Sequence, residues 1–167
     1  RALTDAAARP RQAGDMKRKP HLIPPLGVAL VALTALAGAA PTPPTEFRII
    51  PAGEFRSWDG RPTECAAWVC TDEDGARLAA EIAAFESARV IDYEHATLHA
   101  KKTGAKAPAA GWYERVEWRS GDGLYLVGID WTACAAQEIA DKSYRFVSPL
   151  FSYDPQTGRV LHLRCVS

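Results

Sequence analysis

The chain has 167 residues, of which 47% are hydrophobic and 24% charged, a make-up that excludes a disordered tail or a fibre and suits one globular domain with a buried core. Lysine plus arginine equals aspartate plus glutamate at 20 each, so no broad basic field exists to hold nucleic acid and no acidic excess marks a solvating tail. No continuous apolar run approaches the ~20 residues that a membrane-spanning helix needs.

Met16 is the only methionine, and residues 1–15 form an Ala/Arg-rich run without a periodic apolar face. Residues 1–25 are therefore set aside as an upstream or disordered extension, and 26–167 are taken as the domain. From Met16 the chain imitates a secretory signal: Lys17, Arg18 and Lys19, an apolar stretch from Leu26 to Leu36, and small residues Ala37-Gly38-Ala39. The competing reading is a buried first strand through Val28, Leu30, Val31 and Leu33, which periodicity alone does not separate from a signal. Cys65, Cys70, Cys134 and Cys165 sharpen the choice. Export would allow two disulfides and an exported, disulfide-bonded binding domain; otherwise the four are reduced apolar fillers.

Three prolines between Pro41 and Thr45 break regular structure ahead of a short strand at Phe47-Arg48-Ile49-Ile50. A turn region at Asp59 to Pro62 leads to a strand at Ala66 to Val69. Thr71 with Asp74 predicts a capping box, and Leu78, Ile82 and Phe85 at helical spacing predict a helix with Glu73, Arg77, Glu81 and Glu86 outward. At Val90-Ile91-Asp92-Tyr93 the period becomes two. That predicts a strand with Ile91, Tyr93 and His95 on one face and Asp92 and Glu94 on the other. Lys101 to Gly111 reads as a loop. Trp112 to Arg119 and Leu124 to Trp131 read as a hairpin across Ser120-Gly121-Asp122-Gly123. Thr132 caps a short helix through Asp141, and Tyr144 to Tyr153 pairs with Arg159 to Val166 across another turn.

This pattern predicts an α+β domain, with an antiparallel β-sheet or barrel flanked by two or more helices. No Gly-rich phosphate loop follows a strand, so nucleotide chemistry has no foothold. Cys65, Cys70, His95 and His99 have zinc-like spacings within each pair. The 24 residues between the pairs contain a helix, however, which is no compact finger, and no metal or cofactor is expected. Four of the five tryptophans, Trp68, Trp112, Trp118 and Trp131, fall on expected strands, where core packing accounts for them better than a sugar site does.

A serine hydroxyl needs a base to take its proton as it attacks and a third group to hold that base in the right tautomer. His95 and Ser148 are the candidate pair. Pro149 marks Ser148 as lying at a sheet edge or bulge, because proline cannot donate to a ladder.

Pro51-Ala52-Gly53-Glu54-Phe55, Asp92-Tyr93-Glu94-His95, Pro108-Ala109-Ala110-Gly111-Trp112, Gly123-Leu124-Tyr125 and Tyr144-Arg145-Phe146-Val147-Ser148-Pro149 follow one another in an order that resembles the amino-terminal protease region of Mu-like prophage I proteins. The likeness runs from about Phe47 to Leu163. That family resembles phage prohead proteases and herpesvirus assemblins, in which the histidine base precedes the serine. The resemblance implies a herpesvirus-protease-like fold and a serine endopeptidase that cleaves scaffold and itself during capsid assembly. His95 would be general base and then acid, and Ser148 the nucleophile. His162 would be the third member, being the histidine on a strand after the serine. Phage scaffold and major capsid protein are the implied partners, within the assembling prohead in the host bacterial cytoplasm, and homo-oligomerisation stays open. Family members open with an apolar, alanine-rich segment, which favours the strand reading of Leu26 to Leu36. The family motif past Leu163 is missing, and the downstream scaffold region is expected to be absent, so a truncated or inactive copy fits this reading.

Overall fold

The computed structural model describes residues 26–29, 31–32, 42–85 and 89–167. The extension expected over residues 1–25 lies outside them, as do Leu30, most of the alanine-rich stretch and Glu86. The fold is α+β.

Apolar residues at alternating positions build the sheet. β3 (Glu46–Pro51) buries Phe47, Ile49 and Ile50, and pairs with β8 (Gly123–Trp131), whose Leu124, Leu126 and Ile129 are buried as well. β8 forms the expected hairpin with β7 (Ala109–Arg119). β7 in turn pairs with β6 (Val90–Asp92). On the far side, β1 (Leu26–Val28) pairs with β10 (Pro149–Tyr153), and β10 with β11 (Val160–Val166). The order β1-β10-β11-β6-β7-β8-β3 gives one curled seven-stranded sheet. All its pairings are antiparallel except one: β11 meets β6 in parallel, through Val166 and Ile91. That pairing makes the sheet mixed where an antiparallel one was expected. Two small ribbons complete the strands, β2 (Val31–Ala32) with β9 (Phe146–Val147) and β4 (Gly53–Phe55) with β5 (Trp68–Cys70). The segment that imitates a signal thus contributes two strands, and the four cysteines are free thiols.

Helix α1 (Asp72–Ala83) begins as the sequence predicts. Thr71 accepts from the backbone of Asp74 while the Asp74 carboxylate reaches back to the Thr71 N–H. Asp74 also accepts from Arg159 Nε at 2.8 Å, which ties the helix to the turn before β11. Leu78 is fully buried, whereas Phe85 lies past the helix end and is exposed, so the apolar stripe is shorter than expected. Gly75 is required by contact: a Cβ there would sit 2.0 Å from the Trp118 ring.

The core gathers Ile49, Trp68, Leu78, Phe151, Val160 and their neighbours. Trp68 and Phe151 meet edge to face at 5.0 Å, with Phe55 and Tyr153 packed beside them, a geometry worth about 0.5–1.5 kcal/mol per pair beyond burial. Trp118 and Trp131 pack against this core. Trp112 does not; it is 42% exposed, although its place on an expected strand assigned it to the core.

Candidate active site

His95 is not on a strand. β6 ends at Asp92, and Glu94 and His95 both take left-handed conformations, at φ 53° and 55°. Each costs roughly 1–2 kcal/mol for a residue with a side chain. This tight corner delivers the chain into α2 (Ala96–Thr103), a helix whose last turn takes up the start of the loop expected from Lys101. The corner is held from several sides. The Asp92 carboxylate accepts from the Thr97 N–H at 2.8 Å and from the Thr97 hydroxyl, which caps the helix from outside it. The Tyr93 hydroxyl donates to Glu138 Oε2 at 2.7 Å on α3 (Ala133–Ala140), the helix capped by Thr132 as expected. His95 stands at the N-cap position with no capping bond of its own, so its imidazole is free to point elsewhere. The legible signal for α2 was Asp92 five residues before Thr97, together with Gly104, which ends the helix in the left-handed region.

Ser148 sits in the gap between β9 and β10. Its N–H donates to the Ser167 carbonyl at 2.6 Å and its carbonyl accepts from Ser167 at 3.1 Å, while β1 and β2 run along the opposite side of β10 and β9. β10 is therefore an inner strand, and Pro149 is tolerated as its first residue rather than at a sheet edge. With its backbone fixed, Ser148 aims Oγ at His95 Nε2, 3.1 Å away. The other ring nitrogen, Nδ1, lies 3.0 Å from Cys165 Sγ on β11. Fifty-three positions separate serine from histidine and seventy separate histidine from cysteine, yet the parallel contact of β6 with β11 draws all three together.

His95 and Ser148 line a cavity of about 440 Å³. Ile91, Ala110, Ala135 and Val147 form its buried wall, and Tyr144 and Phe146 its exposed edge. Cys165 does not line it. Burial pushes the Cys165 thiol up to about 12, helped by the charge of Asp92, so it carries its proton at neutral pH. Of the two groups touching the imidazole, the hydroxyl faces open space and the thiol lies behind the ring. Burial also holds His95 below the usual histidine range, against the opposing charges of Asp92 and Glu94 and with the aid of His99. A neutral imidazole is the form that accepts a proton.

His162 is elsewhere. It stands on β11 with Nδ1 2.7 Å from Glu81 Oε1 on α1, and its side chain is 46% exposed. A register shift in the pairing of β10 with β11 separates it from Cys165, which pairs with Leu150 while His162 pairs with Ser152. The position expected for His162 beside the base is held by Cys165, which the sequence reading treated only as a filler. Asp92 gives Oδ2 to Thr97, and its buried Oδ1 has no hydrogen-bond partner among the described residues. Among the described residues, no group of three or more histidine, cysteine, aspartate or glutamate side chains is arranged to hold a metal ion, and no helix is long and apolar enough to cross a membrane.

Residues 47–167 match the family described as the Mu-like prophage I protein, N-terminal domain. The chain is 36% identical over 124 residues to Protease I of Escherichia phage Mu, across 70% of this chain and 34% of that protein. It is 33% identical over 140 residues to the Mu-like prophage FluMu I protein of Haemophilus influenzae, across 79% and 39% of the two. The chain thus spans well under half the length of these relatives. No solved structure matches. With the match covering both the corner that carries His95 and the strand break that carries Ser148, the chain belongs to the Mu-like prophage I protein family, through its N-terminal domain.

Proposed function

We propose that this chain is a serine endopeptidase domain of a Mu-like phage, acting on scaffold protein and on its own longer form during maturation of the prohead in the host cytoplasm. The observation that carries the reading is the 3.1 Å contact between His95 Nε2 and Ser148 Oγ at the wall of an open cavity. Support also comes from the name of the phage Mu relative, Protease I. Scaffold and major capsid protein are the partners that the family resemblance supplies.

In this mechanism Ser148 Oγ attacks the carbonyl carbon of a peptide bond as its proton passes to His95 Nε2. The tetrahedral adduct collapses when the C–N bond breaks, and the Nε2–H gives its proton to the leaving amine. Water then attacks the acyl-serine, loses its proton to Nε2, and releases the carboxylate while Ser148 regains its hydrogen. The mostly apolar cavity receives an apolar substrate side chain next to the reacting carbonyl. Burial of the imidazole keeps it unprotonated at neutral pH, which suits a general base.

A fluorophosphonate probe tests the reading. Labelling of the wild type that is lost in both Ser148→Ala and His95→Ala supports it; equal labelling of all three overturns it. In a longer chain that includes the downstream region, the wild type cleaves itself and Ser148→Ala does not.

A further inference from the structure

We propose that Cys165 is the positioning residue of the site, its neutral thiol sulfur accepting the Nδ1–H of His95 and so turning the Nε2 lone pair toward Ser148. The inference rests on the serine peptidase reading for its purpose and on geometry for its content.

A neutral imidazole carries one proton, on one nitrogen or the other. If Nε2 is to accept from the serine hydroxyl at 3.1 Å, the proton must reside on Nδ1, and a group within reach of Nδ1 must accept it. The described contact on that side is Cys165 Sγ at 3.0 Å. A carboxylate commonly fills this role, but neither of the two nearest acids has a hydrogen bond to the ring. Asp92 Oδ2 takes the two donors of Thr97, and Glu94 is exposed at the corner. His162 is bound to Glu81. Cys165 is itself well anchored, on a strand flanked by β10 and β6 and opposite Leu150. It therefore fixes the plane of the ring as well as the tautomer.

A thiol in this place has consequences that a carboxylate would not. During attack, the Oγ–carbon bond forms as the proton moves from Ser148 Oγ to His95 Nε2, and Cys165 keeps its own proton throughout. Sulfur is a weak acceptor without charge, so it orients the base while lending the imidazolium little stabilisation. Ser148 and Cys165 touch the ring, Asp92, Glu94 and His99 act on it through their charge alone, and none of them supplies a directly bonded negative charge. The result is a base that stays deprotonated into mildly acidic solution and that gains less from its third member than an aspartate-backed histidine does.

The test combines nitrogen NMR of the His95 ring with the rate of Ser148 labelling by a fluorophosphonate, in the wild type and in Cys165→Ala, Cys165→Val, Cys165→Ser and Cys165→Asp. The wild-type ring carries its proton on Nδ1. Cys165→Ala and the apolar, somewhat larger Cys165→Val mix the two tautomers and slow labelling about tenfold or more, Cys165→Ala at an unchanged melting temperature, since an unheld base loses much of its effect. Cys165→Ser, which keeps an acceptor, restores most of the wild-type tautomer. Cys165→Asp raises the His95 titration midpoint and moves the acid limb of labelling upward with it. A wild-type ring protonated on Nε2, or tautomer and rate unchanged in both Cys165→Ala and Cys165→Val, overturns the inference. If the wild type is not labelled at all, the peptidase reading falls, while the ring tautomer still decides whether Cys165 holds the imidazole.

Discussion

Asp92, only 2% exposed, accepts from both the backbone N–H and the hydroxyl of Thr97, so one buried carboxylate anchors the first turn of α2 and, with it, the corner that carries His95. Asp92→Ala removes this cap and lowers stability by about 1–2 kcal/mol, with slower labelling of Ser148. Asp92→Asn retains an acceptor oxygen and falls between that variant and the wild type. Urea denaturation and amide exchange over residues 96–103 measure both effects.

The packing of α1 on the sheet sets a second expectation. Alanine is normally favoured over glycine inside a helix by about 1 kcal/mol. At position 75 the sign reverses, because the added methyl would meet the Trp118 ring at 2.0 Å. Overpacking of this kind costs about 1–3 kcal/mol. Gly75→Ala therefore has a lower denaturation midpoint, and red-edge tryptophan emission reports the displaced ring.

The cavity can be closed from its buried wall. Ala135 is 3% exposed and lines the space beside Ser148. In Ala135→Phe the ring occupies the room that the proposed mechanism gives to a substrate side chain. A small fluorophosphonate still labels Ser148 at close to the wild-type rate, whereas a peptidyl phosphonate with a bulky apolar side chain reacts far more slowly. Equal loss with both probes would mean that the substitution disturbs the pair itself.

Thiol chemistry distinguishes the cysteines. Burial pushes both Cys70 and Cys165 up to about 12, and the thiolate is the reactive form. At pH 8 in native protein, iodoacetamide modifies the exposed Cys134 first and spares Cys70 and Cys165. Peptide mapping after short exposure reads the order directly.

Acid should act on His95 with a definite sign. Its folded-state affinity for protons lies below the usual 6.5 because the ring is buried, so as the pH falls through 6.5 the unfolded chain binds a proton that the folded chain does not. Stability declines from that point until the folded group also titrates, and levels off below it. His95→Gln removes this part of the slope. Fluorophosphonate labelling, which needs the neutral ring, has its acid limb below 6.5.

Much of the scaffold was legible because local rules sufficed. The capping box at Thr71 and Asp74, the hairpin turn at Ser120 to Gly123 and the alternation of β3 and β8 each state their structure within a few residues. His95 and Ser148 could be nominated, but their approach to 3.1 Å depends on β11 pairing in parallel with β6, which no local pattern encodes. The strand expected over Val90 to His95 stops at Asp92 for a related reason. Two left-handed residues without glycine are rare from propensity alone, and they persist here because Thr97, Glu138 and Cys165 hold the corner from three directions. Cys165 was overlooked because a cysteine on an alternating strand looks like any small apolar residue.

The seam between β11 and β6 also sets an order of events. β1, β10 and the Ser148 loop lie on one side of it, and β6, β7, β8 and β3 on the other, joined within the sheet at Val166 and Ile91. Until β11 has docked there, hydroxyl and imidazole belong to separate halves and neither can act on the other. The contact between Ser148 and His95 is therefore a property of the closed sheet and of neither half alone.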